Sequence, residues 1–361
     1  MAVSEYPHIF NLSPDELAPL LAQQNQPHYR AQQVIQWLYQ MGIADPQQMT
    51  NLPIPLRAQL PEQLRFLRGR VLQHQTASDG TQKLLIEWPK NKSALSLVTS
   101  GAPQTEAVLI PSDQRRTACI SSQIGCAVGC RFCASGLDGL EDNLDTGQIV
   151  EQVWHLARLP EAGRISNVVF MGMGEPLANF ERVVRAIQIL CAKWGLGISA
   201  RRITISTVGL PAQIRRLAQV KPSVTLAISL HAPNDQLRRQ IIPWAQFVRI
   251  DQIIESARFY FAHTGREITL EYILLRHEND RPEHAQQLAK IARTLRSNVN
   301  LIRYNEVRGL PYERPTDDDV HRFQAILLGA GVNAHIRASR GRDIAAACGQ
   351  LRQPPNNQQQ G

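Results

Sequence analysis

The stretch GCAVGCRFC, residues 125–133, places three cysteines in the spacing C-x3-C-x2-C. Three thiolates can hold a four-iron cluster and leave one iron without a protein ligand, whereas the usual iron–sulfur frameworks supply four cysteines. An open metal position is where catalysis takes place, as the contrast between catalytic and structural zinc sites illustrates. The stretch therefore predicts an enzyme with one [4Fe-4S] cluster bound by Cys126, Cys130 and Cys133.

Strands and helices alternate from Thr117 onward, and the triplet follows the first of these strands. The predicted strands are 117–121, 167–171, 202–207, 224–230, 267–275, 299–304 and 334–337. The predicted helices are 146–158, 180–194, 211–220, 251–263, 282–295 and 317–329. This α/β rhythm predicts a parallel sheet with crossover helices, either open or closed into a full or partial barrel. The active site of such a fold lies at the carboxyl ends of its strands.

The first hundred residues have a different pattern. Residues 13–67 are helical in character, and Ser13 followed by Pro14 is a typical helix start. Residues 70–110 are strand-like, with a turn at Asp79-Gly80. We predict a helical module (1–67), a β-rich connector (68–112), an α/β catalytic domain (113–350) and a disordered tail rich in Gln and Asn (351–361).

The composition is that of a globular protein, with 43% hydrophobic and 19% charged residues. No apolar run is long enough to span a membrane. The start, residues 1–6, lacks a basic segment followed by an apolar one, so we expect no signal peptide and a cytoplasmic location. The formal net charge of +8 favours RNA as a partner. Candidate phosphate contacts are the pairs Arg115-Arg116, Arg201-Arg202, Arg215-Arg216 and Arg238-Arg239.

Two other interpretations of the triplet are a structural zinc site and a ferredoxin-like electron carrier. A zinc site would borrow Cys119 or a distant residue, but zinc motifs usually show paired C-x2-C units and only one is present. A ferredoxin would need a fourth cysteine at its own spacing, which the sequence lacks. Of the other cysteines, Cys191 lies in an apolar helical stretch and is expected in the core.

Further motifs fall where the predicted strands end. The run MGMGEP (171–176) has glycines that permit close backbone approach and a carboxylate, Glu175, that can accept from a ligand ammonium. Ser206, the run SLHAP (229–233) and Asn305 end three other strands. Each of these alone is an ordinary turn former. Their placement at successive strand ends indicates one shared ligand site.

Five motifs in order, CISSQIGCAVGCRFC, MGMGEP, ISTVG, SLHAPND and DIAAACGQL, closely resemble the RlmN/Cfr family of radical S-adenosylmethionine (SAM) RNA methyltransferases. The resemblance covers nearly the whole chain, including the helical segment 29–39, which resembles an RNA-recognition module. It implies an incomplete (β/α) barrel with an N-terminal extension, and SAM bound to the open iron of the cluster. The residues it implies as SAM contacts are Gly174, Glu175, Ser206, Ser229, Leu230, His231 and Asn305.

The resemblance also implies roles for the outlying cysteines, with two SAM molecules used per turnover. The first SAM methylates Cys348, giving an S-methylcysteine intermediate. The second yields a radical that takes hydrogen from this methyl group, and the carbon radical adds to adenine. Glu106 matches the family's proton acceptor, and Cys119 resolves the adduct through a transient disulfide with Cys348. An external electron donor such as flavodoxin is implied.

The family contains two regiochemistries. RlmN-type members methylate carbon 2 of an adenine in the peptidyl-transferase region of 23S rRNA and an anticodon-adjacent adenine of some tRNAs. Cfr-type members methylate carbon 8 of the same rRNA adenine. The run 171–176 is similar to RlmN and the run 300–305 more similar to Cfr, and we favour carbon 2 because RlmN-type members are commoner. Two other functions remain open, which are a different radical SAM reaction and a non-catalytic role as an RNA-binding metalloprotein.

Overall fold

A computed structural model describes residues 6–89 and 102–352. The N-terminal part is helical, as predicted. Ser13 caps the first helix: its hydroxyl accepts from the Glu16 amide, and the Glu16 carboxylate accepts from the Ser13 amide. The helices of this part are α1 (Pro14–Ala22), α2 (Tyr29–Gln36), which continues into a π-helical turn (Trp37–Met41), and α3 (Ile54–Gln59).

The rest of the described chain is built on one large sheet. Its strands are β1 (Arg70–Thr76), β2 (Gln82–Glu87), β3 (Gln104–Ser112), β4 (Arg115–Cys119), β7 (Asn167–Phe170), β8 (Ile203–Thr207), β9 (Thr225–Ser229), β10 (Ile268–Leu274), β11 (Ser297–Arg303) and β12 (Ala334–Arg337), while β5 (Gln123–Gly125) and β6 (Leu140–Asn143) form a separate hairpin. The helices are α4 (Thr146–Leu156), α5 (Phe180–Cys191), α6 (Pro211–Gln219), α7 (Asp235–Ile241), α8 (Ile250–Thr264), α9 (Pro282–Ala292) and α10 (Asp317–Gly329).

The large sheet has the order β1-β2-β3-β4-β7-β8-β9-β10-β11-β12. The first four strands pair antiparallel, and every pair from β4 to β12 is parallel. The parallel part confirms the predicted α/β architecture. The sheet is open within the described residues, as in a partial barrel, since β1 and β12 form its two edges. The predicted β-rich connector contributes β1, β2 and β3 to the same sheet, because β3 pairs directly with β4.

The predicted strands and helices are present, with ends that shift by a few residues. A hairpin and a short helix were not predicted. The hairpin β5–β6 flanks the cysteine triplet, which therefore lies in a hairpin loop and not directly between a strand and a helix. The short helix α7 (Asp235–Ile241) is mostly polar, so its sequence carries little helical periodicity. Its start is capped by Asn234, which accepts from the Leu237 amide.

The helical module packs against α4 through a continuous core. The ring of Phe10 meets that of Trp154 edge to face at 6.0 Å, and Trp154 Nε1 donates to the Leu38 carbonyl at 2.9 Å. His8 lies beside Glu151, with Nε2 3.0 Å from Oε2 and both side chains fully buried. Burial opposes a charge on His8, but the contacts with Asp145 and Glu151 outweigh it and raise the pKa of His8.

The predicted disordered tail begins too early. Leu351 is buried, and the backbone amide of Arg352 donates to the Glu106 carboxylate. The rest of the predicted tail, 353–361, lies outside the described residues. Among the helices that the structure describes, none combines the length and the apolar character needed to cross a bilayer.

Candidate active site

The cysteine triplet lies in the loop between β5 and β6. This loop closes where the Cys126 amide donates to the Gly139 carbonyl at 2.8 Å, and a tight turn forms where the Cys133 amide donates to the Cys130 carbonyl at 3.1 Å. All three cysteines are free and line one pocket. Eight residues of local chain therefore bring the three thiols to the same pocket.

The electrostatics of the triplet fit a metal cluster. Burial raises the pKa of Cys126 to about 12 and raises the pKa of Cys130 and Cys133 as well, and the negative charge of a neighbouring thiolate adds to the effect at each. Ionised thiols here require strong positive charge, which iron supplies. The buried Nη1 of Arg238 has no hydrogen-bond partner among the described residues, and the charge of Arg238 acts on Cys130. The donor set thus fits a [4Fe-4S] cluster held by three thiolates.

In residues 6–89 and 102–352, no three His, Cys, Asp or Glu side chains are arranged to hold one metal ion.

Glu175 follows β7 and reaches the same pocket. Its Oε1 accepts from the Leu177 amide at 2.9 Å, and its Oε2 accepts from the Val208 amide at 2.8 Å. Burial nevertheless raises the pKa of Glu175 to about 7. Gly174 permits this turn: it has φ +97°, and a Cβ there would lie 2.5 Å from the Cβ of Gln123. The side chain of Gln123 in turn accepts from the Glu175 amide at 2.7 Å.

The next strand ends contribute hydroxyl and imidazole groups. Ser206 and Ser229 line the pocket with their hydroxyl oxygens 3.0 Å apart. His231 also lines it, and its Nδ1 accepts from the Ile273 amide at 3.0 Å. Burial lowers the pKa of His231 to about 3, so the ring is neutral. Because Nδ1 accepts, the proton is on Nε2, and the ring has an N–H donor to offer a ligand.

Two of the predicted SAM contacts lie behind the pocket wall. Leu230 is fully buried in the core, and its amide donates to the carbonyls of Ile228 and Glu271. Asn305 is buried beside the C-terminal segment, where its Nδ2 donates to the Cys348 carbonyl at 3.3 Å. Neither residue is among those that line the pocket.

Cys348 lines the pocket, while Cys119 lies buried behind it at the end of β4. Burial, and next the charge of Cys348, raise the pKa of Cys119 to about 12. All six cysteines are free, so the predicted Cys119–Cys348 disulfide is absent from this structure. Glu106 on β3 is buried and pairs with Lys83, whose Nζ lies 2.8 Å from Glu106 Oε1. Cys191 lies half-buried at the edge of the core, not within it.

The sequence analysis missed two charged residues of the pocket. Glu271 stands in the middle of the buried strand β10, and its Oε2 accepts no hydrogen bond from the described residues. Arg337 ends β12, with Nη1 3.4 Å from Met171 Sδ and 4.0 Å from Glu271 Oε2. A negative charge on Cys348 is the largest cause that raises the pKa of Arg337. The sequence did contain a signal for Glu271, which is a carboxylate in a strand whose other residues are mostly apolar.

One predicted phosphate contact is wrong. Arg238 is fully buried, and its Nε donates to the Leu230 carbonyl at 3.1 Å, so it cannot reach RNA. Its neighbour Arg239 is exposed. Arg215 and Arg216 lie at the surface in ion pairs with Glu255 and Glu181.

Two family models match the chain. The Radical SAM superfamily matches residues 120–289, and the ribosomal RNA large subunit methyltransferase N-terminal domain matches residues 8–65. The first match contains the triplet and the strand-end residues Glu175, Ser206, Ser229 and His231. The second covers the helical module that packs against α4.

Several relatives are similar to this chain over nearly its full length. A probable dual-specificity RNA methyltransferase RlmN of Rhodopirellula baltica is 45% identical over 96% of this chain and 90% of its own. The dual-specificity RNA methyltransferase RlmN of Dichelobacter nodosus is 42% identical over 97% and 95%. The crystal structure of a radical SAM methyltransferase from Sphaerobacter thermophilus superposes with a TM-score of 0.89 at 41% identity, covering 96% of this chain and 99% of that one. The chain therefore belongs to the RlmN family of radical SAM RNA methyltransferases.

Proposed function

We propose that this enzyme methylates carbon 2 of an adenine in the peptidyl-transferase region of 23S rRNA and of an anticodon-adjacent adenine in some tRNAs, in the cytoplasm. Its relatives are named dual-specificity RNA methyltransferases, which supports two RNA substrates. The observation that carries the proposal is the pocket itself. Cys348 lines it together with the triplet and the strand-end polar groups, and Cys119 lies behind it.

SAM would occupy this pocket beside the triplet. The Glu175 carboxylate keeps lone pairs free after accepting from two backbone amides, so it can accept from the SAM ammonium. Ser206, Ser229 and the Nε2–H of His231 offer hydrogen bonds to the polar edges of the same ligand. Leu230 and Asn305 act from behind, by fixing the turn that carries His231 and the backbone of Cys348.

The first SAM serves as an ordinary methyl donor. The Cys348 thiolate attacks the methyl carbon, a C–S bond forms, and S-adenosylhomocysteine leaves with the electron pair of the broken bond. Arg337 lines the same pocket and places its positive charge near the sulfur of Cys348. The product of this step is S-methylcysteine at position 348.

The second SAM serves as the source of a radical. An external donor such as flavodoxin would reduce the bound cluster. The cluster would then supply the electron that cleaves the second SAM. The S-methyl group of Cys348 then gives up one hydrogen atom, and its carbon adds to the adenine ring.

The adduct formed in this way is a radical, and its unpaired electron would pass back to the cluster that supplied it. Glu106 accepts the proton from the methylated ring carbon, which leaves a closed-shell adduct. The Cys119 thiolate then attacks the sulfur of Cys348, the carbon–sulfur bond breaks with its electron pair on the carbon, and this carbon takes up a proton as the RNA is released. The two cysteines end as a transient disulfide, which a cellular thiol reduces.

The test is mass spectrometry of rRNA and tRNA from cells with and without the protein, resolving 2-methyladenosine from 8-methyladenosine. We expect 2-methyladenosine to disappear from both RNAs in cells that lack it. Loss of 8-methyladenosine instead would establish the Cfr-like reaction. Arg303 lies in the run 300–305 that is similar to Cfr, but it is not among the pocket residues and pairs with Asp317 on α10, so it gives no support for carbon 8.

Anaerobic reconstitution tests the chemistry directly. We expect iron near four per chain, deoxyadenosine release and a methyl group on Cys348 that is traceable by peptide mass. Zinc without SAM cleavage would contradict the proposed mechanism.

A further inference from the structure

Lys83 is a buried cation that the proposed mechanism does not use. It lies on β2 with its side chain only 3% exposed. Lysine is almost never buried to this degree unless it is paired. Its Nζ lies 2.8 Å from Glu106 Oε1 and donates to the Ala345 carbonyl at 3.2 Å.

The register of the sheet explains how this pair forms. Lys83 stands opposite Val108, and Leu85 stands opposite Glu106, so Lys83 and Glu106 are diagonal neighbours on the same face. Two adjacent strands of the regular sheet therefore fix both charged groups. Neither needs the C-terminal segment to reach the other.

The pair contacts the segment that carries Cys348 at both of its ends. Lys83 binds the carbonyl of Ala345, and Glu106 accepts from the backbone amide of Arg352. We call residues 345–352 the Cys348 segment. Both end residues have left-handed backbone conformations, with φ +51° at Ala345 and +83° at Arg352. Residues with side chains seldom adopt this conformation, so tethers are needed at these two points.

The charge of the pair strengthens both tethers. Hydrogen bonds with an ionised partner are shorter and stronger than neutral ones, and a buried site preserves this advantage. A proton on the Glu106 carboxylate would remove the negative charge. Lys83 would then lose its counter-ion, and the Arg352 amide would lose its charged acceptor.

We propose that Lys83 is a positioning residue that ties Glu106 to the Cys348 segment, and that proton uptake by Glu106 releases this segment. The inference rests on the proposed role of Glu106 as proton acceptor. The proton comes from the ring carbon of the RNA adduct, the electron pair of the C–H bond stays in the ring, and the unpaired electron of the adduct would pass back to the cluster as in the proposed mechanism. Release would then let the sulfur of Cys348 move toward Cys119.

Hydrogen exchange of backbone amides tests the tether without any catalysis. The variants are Lys83→Met, Lys83→Arg and, as a matched control, Lys290→Met on the exposed side of α9. We expect Lys83→Met to speed exchange of the Cys348 segment by about tenfold or more, while Lys83→Arg and Lys290→Met exchange like the parent. Parent-like exchange in Lys83→Met would overturn the proposal.

Iron content and SAM binding serve as the fold control for Lys83→Met. If this variant does not fold, the double variant Lys83→Met/Glu106→Gln removes both charges and leaves no unpaired ion. It should show the same faster exchange of the segment. A segment that stays protected in the double variant would count against the tether.

A second experiment asks which catalytic step depends on Lys83. In Lys83→Met the segment is already free, but Glu106 loses the partner that positions it as proton acceptor. We therefore expect S-methylation of Cys348 to proceed and the covalent protein–RNA adduct to accumulate before the ring proton is lost. Lys83→Arg should restore turnover. Equal loss of S-methylation and resolution would indicate a merely structural role and overturn the proposal. Full turnover in Glu106→Gln would remove Glu106 as the proton acceptor, whereas the exchange experiment would still decide whether the tether exists.

Discussion

Two buried ion pairs in this protein each join a basic side chain to a glutamate, but they hold different kinds of structure. His8 and Glu151 join the helical module to α4, where a continuous apolar core already packs the two together. Lys83 and Glu106 join a regular sheet to an irregular segment whose end residues are left-handed. The effect of breaking a buried pair depends on what else holds its neighbours, and we expect global destabilisation in the first case and local opening in the second.

The largest effect is expected at Cys348, in the segment whose two ends the second pair contacts. Cys348→Ala should abolish RNA methylation, because no thiolate remains to carry the methyl group, while SAM cleavage at the triplet continues. Deoxyadenosine release and RNA methylation are measured side by side. Cys191→Ala, at the edge of the core, is the matched control and should retain activity. RNA methylation by Cys348→Ala would disprove the S-methylcysteine route.

The next effect is expected at the first ion pair. His8→Ala leaves Glu151 buried with less compensation, and breaking such a pair costs about 3–5 kcal/mol of the free energy of unfolding. Urea unfolding measures it. His28→Ala, whose side chain is 63% exposed beside Asp15, is the control and should change stability by less than about 0.5 kcal/mol. A similar cost for both variants would mean that the burial of His8 is unimportant.

The pH dependence of stability sharpens the same comparison. The pKa of His8 is raised from 6.5, whereas the pKa values of Glu151 and Asp145 are lowered from 4.5 and 3.8. The His8 contribution is therefore complete below pH 6.5 and is lost as the pH rises through the raised pKa. The carboxylate contribution is complete above pH 4.5 and is lost as the pH falls through the lowered values.

The parent and His8→Ala should therefore differ most between these limits, at about pH 5–6, and less at about pH 9. Urea unfolding over this range measures the difference. If the difference in the free energy of unfolding between the parent and His8→Ala became larger at alkaline pH, the assignment of a charged His8 would be wrong.

The smallest effect is expected at the start of α1, far from either pair. Ser13→Ala removes the hydroxyl that accepts from the Glu16 amide and should cost about 1 kcal/mol of stability. Ser199→Ala is the control, since Ser199 precedes a helical turn without a side-chain cap. Thermal unfolding of both variants measures the difference. An equal shift in both would show that the Ser13 cap is not the cause.

Local sequence predicted the elements and the cluster loop well. The triplet needs only short-range chain geometry, so its spacing was sufficient to predict the site. The polar residues at the strand ends lie close together, as predicted, because parallel strands with crossover helices place their carboxyl ends at one edge of the sheet. Glu175, Ser206, Ser229 and His231 line one pocket for this reason.

Long-range contacts could not be predicted in the same way. The sequence does not distinguish Arg238 from its neighbour Arg239. In the fold, Arg238 is buried against backbone carbonyls and Arg239 is exposed. The sequence around Lys83 does not indicate that this lysine is buried. Only the fold places the Ala345 carbonyl beside its side chain. The hairpin β5–β6 was missed because its strands are very short.

The sequence by itself determined the order of the elements, the thiol triplet and the family to which the chain belongs. These depend on periodicity and spacing, which are properties of neighbouring residues. Only the tertiary structure decided which charges are buried and what they bind. Burial and pairing are set by residues distant in the chain, as when β2, β3 and the Cys348 segment meet at Lys83 and Glu106.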